Sequence, residues 1–307
     1  MPVRIRVLGS AAGGGFPQWN CNCRNCAGWR AGSLRSYPRT QSSIAVCGDD
    51  EIAWVLVNAS PDIAAQLQAN PILQPGRTTR DSAIAAIVLV DGQVDHTTGL
   101  YMLRESTRPW PLWCTDSTFA DLTRGNPVLN VLAHYCGVDR HRIELNGEGF
   151  GIESVNGVRW TALPVPSKPA PYSPNRESPV PGDNLALVIF DEVTGRSALY
   201  APGLGAMDER VWRSMQSATC VLVDGTFWSD DEMIRLEVSR KHAREIGHLP
   251  QSGPGGMLEW LDRLTSTRKI LIHVNNTNPI LDEDSAERAE LTRRGVEVAY
   301  DGMEIVL

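Results

Sequence analysis

Segments with the pattern of β-strands recur along the whole chain and constrain its fold more than any other feature. Some alternate polar and apolar residues, as a half-exposed strand does, and others are continuously apolar, as a strand buried on both faces is. A chain with both kinds needs two packed sheets or one large mixed sheet. The segments are VRIRVLG from Val3, SSIAVCG from Ser42, IAWVLVNA from Ile52, AIAAIVLVD from Ala83, PLWCTD from Pro111, VRWTALPV from Val158, NLALVIFD from Asn184, SALYAPG from Ser197, CVLVDG from Cys220, KILIHV from Lys269 and VEVAYDG from Val296.

Amphipathic helical segments lie between these strands and are expected to cover the faces of the sheets. The order of the elements predicts an α/β (α+β) fold with helix, sheet, sheet and helix layers, an αββα four-layer sandwich. Layered chains of 307 residues often form one unit, so we expect a single domain over residues 1–307. The helical segments are SPDIAAQLQAN with Ser60 as N-cap, STFADLTRG from Ser117, DERVWRSMQS from Asp208, GGMLEWLDRLTS from Gly255 and DSAERAELTRRG from Asp284.

The composition limits the class of protein and its partners. With 42% hydrophobic and 21% charged residues, the chain is expected to be globular. A net charge of −7 argues against nucleic acid as a partner, because that binding needs clustered Lys and Arg. The N-terminal segment has no signal-peptide pattern and no apolar run of about 18 residues occurs, so we expect a cytoplasmic protein without a membrane partner. The oligomeric state is not predicted.

Three cysteines are crowded into the segment CNCRNC. The spacing of Cys21, Cys23 and Cys26 lets all three thiolates converge on one ion. Zinc bound by thiolates prefers four tetrahedral ligands, and a closed shell leaves no room for substrate. The pattern therefore predicts a structural zinc whose fourth ligand comes from elsewhere, with chance clustering as the alternative. The other four cysteines are scattered singly, and we predict that they are small buried hydrophobic residues: Cys47, Cys114, Cys136 and Cys220.

Potential metal ligands follow three of the apolar strands. Asp95 and His96 come after IAAIVLV, Asp224 after CVLV and His273 after KILI. A lone histidine in such a place is more often a core residue, but several strand-end ligands together favour a shared metal site. His248 lies in the polar turn REIGHLPQSG and is predicted to be a proton-transfer group or a third imidazole ligand.

These residues resemble the metal-binding positions of the metallo-β-lactamase superfamily, an αββα fold. The first motif of that superfamily is His-x-His-x-Asp-His, and the same register here reads Asp91-Gly-Gln93-Val-Asp95-His96. The chain is more similar to the pyrroloquinoline quinone (PQQ) biosynthesis protein B family, from Val3 to the C-terminal VAYDGMEI. The segments that carry this resemblance are LGSAAGGGFPQWNCNCRNC, DHTTGL, LVDGTFW, GHLPQSG and HVNNTNPIL.

The resemblance implies that one metal position is kept and one is lost. In dinuclear relatives the first ion takes the two histidines of His-x-His and a later histidine. Those positions correspond here to Asp91, Gln93 and a loop around Ser167 without a histidine. The implied ligands of the second ion are all present, namely Asp95, His96, Asp224 and His273.

A single ion with two imidazoles and two carboxylates suits non-haem Fe(II), with zinc as a replacement after purification. The family implies an iron- and O₂-dependent hydroxylase acting on the tyrosine of a glutamate–tyrosine precursor of PQQ. Two other functions remain open. One is a carrier that binds PQQ for release or transport without catalysis, and the other is a metal-dependent hydrolase.

Further roles follow from the same resemblance. His248 is expected to act as an acid/base or substrate-orienting group, and Asp91 and Gln93 to form hydrogen bonds with ligands or substrate. In the proline-rich loop 163–183, Ser167, Lys168 and Arg176 are predicted to bind substrate, although the two charges could equally be solvated. Related phosphodiesterases complete a three-cysteine zinc site with a histidine at the position of Asn276, which makes Asn276 a candidate fourth ligand.

Overall fold

The computed structural model describes residues 1–48 and 52–307. Within these residues the strands form two sheets of seven strands each. In spatial order, the first sheet comprises β14 (Glu304–Val306), β1 (Arg4–Gly9), β2 (Ser43–Cys47), β3 (Trp54–Val57), β4 (Ile84–Val88), β5 (Trp110–Cys114) and β6 (Val138–Arg142). The second sheet comprises β13 (Val296–Val298), β12 (Arg268–Ile272), β11 (Cys220–Asp224), β10 (Ser197–Ala201), β9 (Leu185–Asp191), β8 (Val155–Pro164) and β7 (Phe150–Ile152).

Both sheets have an antiparallel half and a parallel half. In the first sheet the pairs from β14 to β3 are antiparallel and those from β3 to β6 are parallel. In the second sheet the pairs from β7 to β10 are antiparallel and those from β10 to β13 are parallel. The strands that precede the predicted ligands, β4, β11 and β12, all lie in parallel halves. Their carboxyl ends therefore meet one edge of each sheet, where binding sites of α/β sheets commonly form.

The layers follow from three clusters of buried side chains. One cluster fills the space between the sheets, with Val88 and Trp160 from opposite sides. Another packs helices against the outer face of the second sheet, and a third does so on the first sheet. This arrangement confirms the predicted αββα sandwich. The α-helices of the described residues are α1 (Arg24–Arg30), α2 (Ile63–Ala69), α3 (Val94–Thr97), α4 (Asp116–Ala120), α5 (Val128–Leu132), α6 (Glu209–Ser217), α7 (Glu232–Arg235), α8 (Met257–Leu261) and α9 (Ala286–Arg293).

Short 3₁₀ and π segments complete the helical structure. The 3₁₀ segments cover Pro71–Leu73, Thr98–Glu105, Arg244–Ile246 and Pro279–Leu281, and Asp121–Gly125 is π-helical. Across the described ranges, none of the helices combines the length and the apolar character that a bilayer crossing requires.

Some predicted boundaries were wrong. The predicted N-cap of α2, Ser60, lies outside the helix, which begins at Ile63 after the N-cap Asp62. The Ser60 hydroxyl instead donates to Gln66 Oε1 at 3.1 Å, a contact that its sequence position does not reveal. The strands β6, β7 and β14 were not predicted, because β6 is polar and largely exposed and the other two are very short.

Candidate metal centre

The turn after β4 joins the two sheets and presents the first pair of predicted ligands. Asp91 forms an isolated backbone bridge with Asn184, just before β9 of the second sheet. The Asp91 carboxylate also accepts the Gln93 N–H at 2.9 Å, which tightens the turn into α3. Helix α3 then carries Asp95 and the buried His96. Contacts with both sheets therefore fix the turn that carries these two side chains.

The ring of His96 is held from one side and unpartnered on the other. Its Nδ1 lies 2.8 and 2.9 Å from the two carboxylate oxygens of Asp91, so Nδ1 carries the proton and donates it. Its Nε2 is buried and has no hydrogen-bond partner among the described residues. Because a buried nitrogen without a partner is unfavourable, Nε2 marks a place for a ligand or ion. A histidine held by a carboxylate in this way is common in metal sites.

His273 is oriented by a hydroxyl group at the end of β12. Thr226 donates its hydroxyl hydrogen to Asp224 at 2.6 Å, so its oxygen accepts the Nδ1–H of His273 at 2.9 Å. The other nitrogen, Nε2, then lies 3.3 Å from Asp95 Oδ2. Two acceptors at this distance repel each other unless a proton or a cation lies between them. His273 also has a φ of +63°, a left-handed conformation that costs energy in a non-glycine residue.

Asp95, His96 and His273 form a cluster in which one ligand atom of each lies within 4.8 Å of the others. Burial raises the pKa of Asp95, but His96 and His273 outweigh that effect and hold it below its usual range. Burial also lowers the pKa of His96, but Asp91 and Asp95 outweigh it and raise the pKa to about 9. The pocket therefore favours a positive charge. Two imidazoles and one carboxylate are donors that fit a transition-metal ion with open positions.

Asp224 and His248 form a pair beside this cluster. The fully buried Asp224 carboxylate accepts hydrogen bonds from the Leu204 N–H at 2.9 Å, from Thr226, and from His248 Nδ1 at 2.7 Å. Its oxygens lie outside the cluster of three, so its role as a metal ligand stays a prediction. The His248 ring stacks on His273 with centroids 5.4 Å apart. Burial lowers the pKa of His248, but Asp224 outweighs it and raises the pKa above its usual value.

The predicted substrate residues lie beside the turn that carries His248. Gln93 donates its side-chain N–H to the Lys168 carbonyl at 3.2 Å, and Ser167 donates its hydroxyl to the Gly247 carbonyl at 2.8 Å. Arg176 donates to the carbonyl of Pro169, within its own loop. Lys168 is half-buried, and its ammonium makes no ion pair within residues 1–48 and 52–307. Neither charged residue of the three therefore has a carboxylate partner among the described residues, and Lys168 is the one next to the Gln93 side chain.

The structure also brings the three clustered cysteines together. The sulfurs of Cys21, Cys23 and Cys26 lie within 4.8 Å of one another. The side-chain amide nitrogen of Asn276, Nδ2, donates to these sulfurs at 3.0, 3.6 and 3.5 Å. Only the amide oxygen could bind zinc, so Asn276 as fourth ligand stays a prediction. Burial raises the pKa of Cys23 to about 12, and the neighbouring thiols add to the rise. Burial also raises the pKa of Cys21, but hydrogen bonds from Cys23, Cys26 and Asn276 outweigh it and lower that pKa below its usual value. The zinc at this cluster stays a prediction that rests on the three converging sulfurs.

Sequence reasoning missed Thr226, which contacts three side chains of the site. Its hydroxyl lies within hydrogen-bond distance of Asp224, His273 and His248. The available signal was a threonine two residues after a strand-end aspartate, a spacing at which Ser and Thr commonly bond to an Asp in a tight turn.

We expect Asp91→Asn to weaken metal binding by about 10- to 100-fold, the usual cost of losing a partner that orients a metal-binding histidine. The amide keeps the size of the side chain but lacks the charge that fixes the His96 tautomer. Titration of the metal-free protein with Fe(II) under nitrogen measures the affinity. Gln93→Ala is the matched control, because the Gln93 side chain contacts the Lys168 carbonyl and neither imidazole. Its backbone carbonyl, which accepts the His96 N–H at 3.1 Å, is kept in alanine. Equal affinities in wild type and Asp91→Asn would contradict this role.

Comparison with known proteins shows the family of the chain. Residues 53–274 match the β-lactamase superfamily domain. The chain is 63% identical to the coenzyme PQQ synthesis protein B of Azoarcus sp. (strain BH72), over 99% of this chain and 100% of that protein. It is 57% identical to the protein of the same name from Methylobacillus flagellatus, with the same coverage. The crystal structure of zinc-bound PqqB from Methylobacterium extorquens superposes with a TM-score of 0.90 at 39% identity, covering 99% of this chain and 100% of that one. The chain therefore belongs to the coenzyme PQQ synthesis protein B family, within the β-lactamase superfamily.

Proposed function

We propose that the protein is a mononuclear non-haem iron hydroxylase in PQQ biosynthesis, acting on the tyrosine ring of a glutamate–tyrosine precursor. The observation that carries this proposal is the cluster of Asp95, His96 and His273 around the unpartnered Nε2 of His96. Two histidines and one carboxylate with open positions are the ligand set of many Fe(II) oxygenases. Iron bound there would supply the activation of O₂ that ring hydroxylation requires.

The contacts of Asp91 and Gln93 support a single ion. In dinuclear relatives the corresponding residues are histidines that hold the first ion. Here the Asp91 carboxylate is bonded to His96, and the Gln93 amide to the Lys168 carbonyl. Neither residue offers the imidazole that holds the first ion in those relatives, and two-metal hydrolysis needs both ions about 3.5 to 4 Å apart. Zinc in the relative from Methylobacterium extorquens supports divalent-ion binding in this family, and we assign zinc in this chain to the cysteine cluster.

Residues around the cluster would hold and orient the substrate. The hydrogen bond from His248 Nδ1 to Asp224 fixes its ring, while its other nitrogen makes no hydrogen bond within the described residues. That nitrogen would accept or donate the phenolic proton of the substrate tyrosine. The Lys168 ammonium would pair with a substrate carboxylate at the rim of the site.

We expect Lys168→Ala to raise the KM for a glutamate–tyrosine dipeptide about ten-fold with little change in kcat, because an ion pair at the rim binds the ground state and the transition state equally. Steady-state kinetics measure both constants. Lys168→Arg should recover most of the lost affinity, and the exposed Lys241→Ala is the matched control. An unchanged KM in Lys168→Ala would exclude this contact.

The activity itself is tested by loading the protein with Fe(II) under nitrogen and then adding O₂, the dipeptide and a two-electron reductant such as ascorbate. The reductant is needed because one oxygen atom of O₂ enters the ring and the other is reduced to water. We expect a product heavier by one oxygen atom, hydroxylated on the ring, with ¹⁸O incorporated from ¹⁸O₂. Tight binding of PQQ without turnover at any metal content would favour the carrier function. Cleavage of a phosphodiester by a protein with two ions at this centre would favour the hydrolase.

A further inference from the structure

A second cavity lies at the end of the second sheet, where α9 and β13 meet the segment around residue 38. Its volume is about 880 Å³, within the range of small-molecule sites. None of its lining residues belongs to the metal centre or to the cysteine cluster. Whatever it binds is therefore separate from the hydroxylation proposed above.

Arg39 lines this cavity and is short of partners. Its side chain is buried, with a residue exposure of 4%. One terminal nitrogen, Nη1, donates to the Ser10 hydroxyl at 3.1 Å and to the Ala299 carbonyl. Its Nε has no hydrogen-bond partner among the described residues. Burial lowers the pKa of Arg39 to about 10, which indicates a guanidinium that the surrounding protein compensates incompletely.

Arg288 of α9 lines the same cavity. Its Nη1 donates to the Ile280 carbonyl at 3.1 Å, and it makes no ion pair with a carboxylate in the described part of the chain. Burial lowers its pKa as well. The cavity thus contains two guanidinium groups, and both are bonded to neutral oxygen atoms.

The carboxylates of the cavity wall are committed to other groups. Glu297 forms two hydrogen bonds with Arg268, at 2.7 and 2.8 Å. Asp301 accepts hydrogen bonds from Ser10 and Thr40 and lies close enough to Arg39 to compensate part of its charge. Glu283 pairs with Arg35 at 3.7 Å. It also lies close enough to Arg39 and Arg288 to offset part of their charge, although it forms no ion pair with either. An incoming anion would therefore find free donors on the two arginines without displacing an existing ion pair.

Two tyrosines, Tyr37 and Tyr300, also line the cavity, and their exposures are 60% and 50%. Exposed aromatic rings beside buried cationic donors suit a ligand that has an apolar ring at one end and a charge at the other. We infer that this cavity binds a small aromatic carboxylate, whose carboxylate pairs with Arg39 and Arg288 and whose ring packs beside Tyr37 and Tyr300.

Titration of the ¹⁵N-labelled, metal-loaded protein with 4-hydroxybenzoate tests this inference by NMR. We expect shifts of the amides of Gly295 and Tyr300 and of the Arg39 Nε–H, with smaller or no shifts at residues 94–97. Acetate, which has no ring, and phenol, which has no carboxylate, should each bind at least about ten-fold more weakly than 4-hydroxybenzoate. Equal binding of acetate would overturn the aromatic part of the assignment, and equal binding of phenol would overturn the anionic part.

Binding of 4-hydroxybenzoate to variants of the cavity residues tests where the ligand lies. Arg288→Gln should weaken 4-hydroxybenzoate binding by about ten-fold or more, the usual effect of losing a hydrogen bond to a charged group. Tyr300→Ala, an exposed change that leaves both arginines in place, should weaken it less. Arg293→Gln on the same helix is exposed and does not line the cavity, so it should bind like wild type. Unchanged binding in both Arg288→Gln and Tyr300→Ala, or shifts confined to the metal centre, would overturn the inference.

Discussion

Replacing His273 by alanine is expected to remove iron from the protein and to abolish hydroxylation. In the proposed centre His273 would supply one of the ligand atoms, so the loss in metal affinity should exceed the roughly 100-fold that loss of an orienting partner costs. The variant should remain folded, because alanine removes a side chain without disturbing the strand pairs of β12. Metal analysis of anaerobically prepared protein should show loss of the iron equivalent and retention of the zinc equivalent.

The exposed His134→Ala is the matched control for this experiment, since it removes an imidazole from the turn after α5, outside the metal cluster. It should keep both metals and full turnover. Retention of one iron equivalent by His273→Ala would show that the three-residue cluster is not the iron site. Iron binding without hydroxylation in the wild type would instead leave the cluster in place and remove the proposed activity.

Replacing Cys26 by serine is expected to lower the free energy of unfolding by more than about 3 kcal/mol. Cys26 is fully buried among the three sulfurs, and the binding energy of a structural zinc contributes directly to folding. Serine also leaves a hydroxyl group in a buried position without its metal. Urea denaturation and zinc analysis of the same preparation measure the two effects together.

Cys136→Ser is the matched control, because this thiol is half-buried, lies outside the cysteine cluster and makes a weak hydrogen bond with the Leu103 carbonyl, at 3.9 Å. Its cost should stay below about 1 kcal/mol. The other scattered cysteines, Cys47, Cys114 and Cys220, are buried as predicted and are less suitable controls. If Cys26→Ser keeps its zinc, or if both variants lose the same stability, the cysteine cluster has no structural metal.

The sequence predicted the fold well because the buried strands carry their pattern locally. Strand β4 is apolar at every position and β11 at every position but its last, Asp224, and their neighbours in the sheet share that pattern. The polar strand β6 was missed because only its pairing with β5 makes it a strand. Pairing between distant segments has no signal in the local pattern.

The sequence predicted which residues gather at the candidate site but not which contacts they make there. The sequence placed Asp95, His96 and His273 at strand ends, and the structure brings them together. It did not reveal that Asp224 would face His248, because that choice depends on the turn at Thr226. It also gave no sign of the left-handed backbone at His273, which only the folded context imposes.

The position of the metal cluster between the two sheets has a consequence for thermal stability. Asp95 and His96 follow a strand of one sheet and His273 follows a strand of the other, so an ion held by all three fastens the two halves of the sandwich. Any ion that binds the native form alone stabilises it, by about 2.7 kcal/mol when the ion is present at 100 times its dissociation constant. The melting temperature rises accordingly. A series of melting curves with different divalent cations would therefore rank their affinities for this centre without any assay of turnover.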